Sequence, residues 1–205
     1  MSASETTSTD ARQNTHFTAV ILTHKRRGAV AVFPGEGPFA PRVLALLQNA
    51  SPEDHATTLT GPDATIALGT EDTAEILRTL YERTLACAGA TDAQVVHVAL
   101  GVGPGSFTGL RLGCAFANGL LLGRSRSATA LTCPPPTPDS PWHLPARDAD
   151  DPFSAPVSFA DVLSVCETLD ATLDAGQANA VSEFVPAYGR EPGPVIKLRS
   201  QGIPV

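Results

Sequence analysis

Aromatic residues make up only 5% of this 205-residue chain. Its core must therefore be built from Ala, Val and Leu, and its packing must depend on backbones coming close together. Lysine is scarcer still: Lys25 and Lys197 are the only two, and the net charge is −7. A chain that gripped a nucleic acid by its phosphates would carry a basic stripe. The one short cluster, Lys25-Arg26-Arg27, reads as a solvated hairpin turn, so direct nucleic-acid binding by this chain alone is not expected. Cys87, Cys114, Cys133 and Cys166 form no CxxC pair, and the five histidines form no HxxxH or HExxH set. No metal site is proposed from such spacing, and Cys114 and Cys166, at apolar helical positions, read as buried small hydrophobes. Neither a signal-peptide core nor a membrane-length apolar run is present, and a reducing, cytoplasmic setting is the default expectation.

The distinctive stretch is Gly101-Val102-Gly103-Pro104-Gly105-Ser106-Phe107-Thr108-Gly109-Leu110-Arg111-Leu112-Gly113. It follows an apolar run, Gln94 to Leu100, that reads as a strand, and it leads into a helical pattern. Gly101, Gly103 and Gly105 permit close approach to the main chain, while Ser106 or Thr108 can cap the helix and leave free amides behind it. The Walker pattern is missing, because Gly109 is followed by Leu110 and Arg111. The dinucleotide pattern is missing too, since no acid stands about 20 residues on. Arg111 would lie in the first turn, where the helix dipole disfavours a cation, which suggests a nearby carboxylate, phosphate or protein partner. Gly105, Gly109, Gly113 and Ala117 recur every four residues and give the helix a smooth face suited to another backbone element. Leu110, Cys114, Ala117 and Leu121 suit a buried stripe.

Along the rest of the chain, residues 1–16 are rich in Ser and Thr and read as a flexible tail. Residues 17–22 and 28–33 read as strands joined by a polar turn, 41–48 as a short helix and 49–63 as loop. A helix is expected over 71–88, opened by Glu71 and Asp72, with Ile76, Leu77, Leu80, Tyr81 and Leu85 on its apolar face. His97 inside a valine-rich strand reads as a satisfied core residue. One more strand is expected over 128–132. Eight of the chain's 18 prolines fall between Cys133 and Pro156, so 134–156 reads as a linker or exposed loop in which Trp142 and Phe153 could anchor. Helical periodicity returns over 158–173 through Val162, Leu163, Cys166 and Leu169.

The run at 101–113, with Ala115-Phe116-Ala117-Asn118-Gly119-Leu120 after it and Thr73-Ala74-Glu75-Ile76-Leu77 before it, resembles the TsaB (YeaZ) family over roughly residues 64–133. The short segment from Phe184 to Arg190 resembles that family's closing segment. The resemblance implies an α/β fold: an actin-like ATPase (sugar kinase/heat-shock/actin) type lobe over 17–133, with a reduced C-terminal second lobe over 157–205. It implies a non-catalytic scaffold that heterodimerises with the catalytic paralogue TsaD, assisted by the ATPase TsaE, in threonylcarbamoylation of the tRNA adenosine next to the anticodon. Transfer RNA would be met only through the complex, and a homodimer is a further expectation. No cofactor would be tightly bound, and any ATP or ADP would sit in the complex with partner subunits.

On this reading the interface residues are Glu75, Ile76, Leu80, Gly109, Arg111, Gly113 and Ala117, and Gly103, Gly105, Ser106 and Thr108 order the turn. Three departures stand out. The family's Asp-x-Ser after the first strand is Thr23-His24-Lys25 here, with no acid; its first-helix His-Ser pair is Thr73-Ala74; and its second-lobe Asp-Ala-Arg-Arg strand has no counterpart. The alternative expectation is a small nucleotide hydrolase or peptidase-like enzyme of the same superfamily, although no nucleophile–base pair is legible beside Ser106 or Thr108.

Overall fold

A computed structural model describes residues 15–50, 57–70, 73–133, 153, 155–176 and 180–188, with residues 73–75 described by backbone alone. The tail up to residue 14, Glu71 and Asp72, the proline-rich stretch from 134 to 152 with Trp142, and the chain beyond Tyr188 lie outside the described residues.

Six strands form one sheet: β1 (Phe17–Leu22), β2 (Ala29–Pro34), β3 (Thr58–Thr60), β4 (Thr65–Leu68), β5 (Val95–Gly103) and β6 (Ser127–Thr132). Among the described residues four α-helices accompany them: α1 (Ala40–Gln48), α2 (Thr73–Ala88), α3 (Phe107–Leu121) and α4 (Phe159–Asp174). The sheet order is β3-β4-β2-β1-β5-β6. β1 lies antiparallel to β2 and parallel to β5, and β5 lies parallel to β6. The expected loop over 49–63 gives up residues 58–60 to β3, and β4 follows it. Four residues are too few to show a period of two, and it is pairing with β2, Val30 opposite Ala67, that makes β4 a strand. β5 runs on to Gly103 because Gly101 and Gly103 still pair with Leu131 and Thr132.

Strand alternation divides the core into two layers. Val20, Leu22, Ala31, Phe33 and Ala99 face one side, where α1 and α4 cover them with Phe39, Val43, Val162, Val165, Cys166 and Leu169. Phe17, Ala19, Ile21, Val30, Val32 and Val98 face the other, where α2 and α3 supply Leu77, Leu80, Tyr81, Leu85, Cys114 and Ala117. An edge-on contact between Tyr81 and Phe116, with centroids 5.6 Å apart, joins these two helices. The mixed sheet, with helices on both faces and right after β4 and β5, is an α/β architecture, the fold class the sequence implies.

Residues 157–174, expected in a reduced second lobe, pack on the sheet of the first. α4 starts from a capping box in which the Ser158 side chain accepts from the Asp161 amide and the Asp161 carboxylate accepts from the Ser158 amide. Its apolar stripe then has the sheet and α1 as its neighbours. α4 also fixes α1: the Asp170 carboxylate accepts from the amides of Phe39 (2.7 Å) and Ala40 (2.8 Å) at the start of that helix, where a negative charge is favoured. Phe184 is buried with the α2–α3 layer.

Candidate functional site

The ends of β1 and β5 meet the start of α3 at the glycine turn. After β1 its alternation of sides continues for two residues, so that Thr23 turns toward α3 and His24 toward α4. A Cβ on Gly109 would collide with the Thr23 carbonyl oxygen, one on Gly113 with the Thr23 hydroxyl, and one on Gly105 with the His24 backbone. A Cβ on Gly103 would strike the Ala187 carbonyl oxygen. The smooth face of α3 is thus filled by this chain's own Thr23–Lys25 turn, and the space over Gly103 by residues near Ala187. Ser106 is the helix cap, its Oγ accepting from the Gly109 amide at 3.4 Å, and its own amide donates to the His24 carbonyl at 2.7 Å.

Lys25 corrects the expected solvated turn. It is 4% exposed, and its ammonium lies 2.8 Å from Oδ1 and 3.0 Å from Oδ2 of Asp161. The backbone of the turn is tied down where the Arg26 amide donates to the carbonyls of Phe153 and Ala155 and the Val157 amide donates to the Arg27 carbonyl, while the Arg26 side chain is exposed and that of Arg27 half-buried. Asp161 therefore supplies an acid beside a segment whose sequence has none. His24, 2% exposed, stands 3.7 Å from Asp161 Oδ1 through Nε2, and its Nδ1 is buried without a hydrogen-bond partner among the described residues. Burial works against charge on the imidazole, but the Cys133 sulfur and the Asp161 carboxylate outweigh it and push His24 up to about 9. Burial likewise acts to raise Asp161, yet His24 and Lys25 hold its carboxyl far below the usual range.

The residues expected at a partner surface separate into two groups. Gly109, Gly113, Ala117 and Leu80 are buried within the chain, and Ile76 is half-buried against the same core. Their apolar and glycine character is used up by in-chain packing, which corrects the picture of an open ladder. Glu75 lies on α2. Arg111 and Thr108 are exposed. Arg111 is in the second turn, not the first, and its guanidinium lies 5.5 Å from the centroid of the Phe107 ring. That ring stacks on Tyr188 with centroids 4.3 Å apart, so the cation meets an aromatic face.

The segment 180–188 crosses α3 through paired contacts. The Asn118 amide donates to the Phe184 carbonyl and accepts from the Phe184 amide, and the Ala187 amide donates to the Val102 carbonyl. His97 is satisfied as expected, 3.0 Å from the Thr129 hydroxyl, and burial lowers its pKa. Sequence reasoning missed Cys133, Asp161 and the inward-facing His24 and Lys25. The capping spacing Ser158-x-x-Asp161 was the available signal for one of them.

The sequence model of the family described as TsaD, tRNA N6-adenosine threonylcarbamoyltransferase, matches residues 69–130, less than half of the chain. Among solved structures, YeaZ from Pseudomonas aeruginosa is similar at 20% identity, with 57% of this chain and 44% of that chain covered and a TM-score of 0.41. An uncharacterized protein with similarity to peptidase YEAZ from Pseudomonas aeruginosa is similar at 21% identity, with 57% and 43% covered and a TM-score of 0.42. The match therefore spans less than half the length of either solved chain. No curated protein sequence matches this one. The chain resembles TsaB. Among the described residues, no helix is long and apolar enough to cross a membrane.

Proposed function

We propose that this chain is a non-catalytic scaffold subunit for threonylcarbamoylation of the tRNA adenosine next to the anticodon, acting by pairing with a TsaD-like catalytic subunit. The observation that carries the reading is the TsaD-family match over 69–130, which coincides with the unit α2–β5–α3 and most of β6. The partner meets the outer sides of α2 and α3, where Arg78, Glu82, Thr108 and Arg111 are exposed. A TsaE-like ATPase and the tRNA join through that complex. Close approach of this chain's own backbone to Gly103, Gly105 and Gly109 supports a turn that packs rather than one that cradles phosphate, so ATP or ADP belongs to the complex with the partners.

The test is co-purification with the TsaD-like subunit of the same host, together with an assay of tRNA modification with and without this chain. Modification that depends on the chain, with no ATP turnover by the chain alone, is the expected result. Full modification in its absence, or intrinsic ATP turnover lost on changing Arg111, overturns the scaffold reading.

A further inference from the structure

At the end of the sheet away from the glycine turn, the apolar layer under α1 and α4 gives way to a polar row. Alternation puts Thr18, His97 and Thr129 on the same side as Val20, Ala99 and Leu131, one step nearer the strand starts. A groove of about 1090 Å³ opens over this row, walled by residues 35–39 and by the end of α4. Two of the three floor groups are satisfied within the chain. The Thr18 hydroxyl donates to the Gly35 carbonyl at 3.2 Å, and the Thr129 hydroxyl meets His97 Nε2 at 3.0 Å. His97 itself is half-buried, and its Nδ1 has no hydrogen-bond partner among the described residues. With the Nε2 proton given to Thr129, Nδ1 is an acceptor facing an unfilled need.

We propose that this groove binds a small aliphatic diamine or polyamine, its ammonium groups meeting Glu36, Asp170 and Asp174 and one N–H reaching His97 Nδ1. Those three acids line the groove, no lysine or arginine does, and among the described residues none of the three is ion-paired. Asp170 already accepts from the Phe39 and Ala40 amides at 2.7–2.9 Å, yet each carboxylate oxygen keeps a further lone pair. Burial lowers the pKa of His97, so the floor adds no positive charge near neutral pH. The spread of the acids selects the kind of cation. No group of three His, Cys, Asp or Glu among the described residues is close enough to hold a metal ion, so a compact divalent cation does not bridge them, whereas a chain of methylenes with charged ends does. Pro38 and Leu173 offer that chain apolar contact. The groove shares no residue with the partner surface on α2 and α3.

The experiment measures binding of radiolabelled spermidine to the full chain by equilibrium dialysis, with the His97 ring followed by NMR. One saturable site is expected, with the His97 signals shifting along the same saturation curve. Glu36→Gln combined with Asp174→Asn, both at exposed positions, is expected to weaken binding by on the order of tenfold. Asp63→Asn combined with Glu82→Gln removes as much charge from exposed positions outside the groove and is expected to leave binding unchanged, as is magnesium at matched ionic strength. Absence of saturable binding, unmoved His97 signals, an equal loss in the Asp63/Glu82 variant, or displacement by magnesium overturns the proposal.

Discussion

Gly109 and Gly119 lie ten positions apart in one helix, and the fold asks different things of them. A methyl group at Gly109 meets the Thr23 carbonyl, a backbone atom that no rotamer change can move aside, whereas one at Gly119 meets nothing within 4 Å. Gly109→Ala is therefore expected to destabilise by about 1–3 kcal/mol through overpacking. Gly119→Ala is expected to stabilise by up to about 1 kcal/mol through helix propensity. Urea denaturation of the pair checks both signs, and equal midpoints would mean that α3 is not clamped to the Thr23–Lys25 turn. The four-residue glycine spacing announced close backbone packing from the sequence alone, but spacing carries no address. Whether the neighbour belonged to a partner or to Thr23 of the same chain was decided by the fold. Lys25 shows the same limit: its acid, Asp161, is 136 positions away, and nothing local distinguishes a solvated lysine from an enclosed one.

At the scale of elements, α4 is joined to the β1–β2 turn by a charged contact whose strength depends on pH. The folded state holds His24 up to about 9 against an ordinary 6.5. Its contribution to stability is complete below about 6.5 and is lost as the pH rises through about 9. Asp161 is held low, so its contribution is present above the ordinary carboxylate range and disappears in acid as the pH falls through its depressed value. Thermal melts of the wild type should therefore decline from pH 6.5 to beyond 9, and His24→Gln should flatten that alkaline branch. An equally steep decline in His24→Gln would assign the effect to other groups. A second joint, 180–188 over α3, hangs on one side chain. Asn118→Ala removes both hydrogen bonds to Phe184 and should cost about 1–3 kcal/mol. Hydrogen exchange should quicken in that segment first, leaving β1 and β5 protected. Long periodic elements such as α2 and α4 were legible in the sequence to within one or two residues at the ends described. β3 and β4, too short to show a period, were not, and neither was the docking of α4 on the first sheet, because an amphipathic stripe does not name the surface it covers.

For the molecule as a whole, both faces of the sheet are covered by its own helices, α1 and α4 on one side and α2 and α3 on the other. A partner therefore meets the two faces of the sheet only by way of the outer sides of those helices. On α3 that side carries Thr108, Arg111, Ala115 and Gly119, all exposed and spaced at three or four residues. Arg111 is the one charged group among them, and its position over the Phe107 ring, itself stacked on Tyr188, limits how far its guanidinium can wander. Reversing that charge tests the surface without touching the core. Arg111→Glu is expected to leave the unfolding free energy within about 0.5 kcal/mol of wild type while weakening capture of the TsaD-like subunit by on the order of tenfold or more. Gly109→Leu should lose binding only together with the fold, because its neighbour is Thr23. Full capture by Arg111→Glu would remove the outer side of α3 from the interface and leave α2 as the surface to be examined by the same reversal at Glu82.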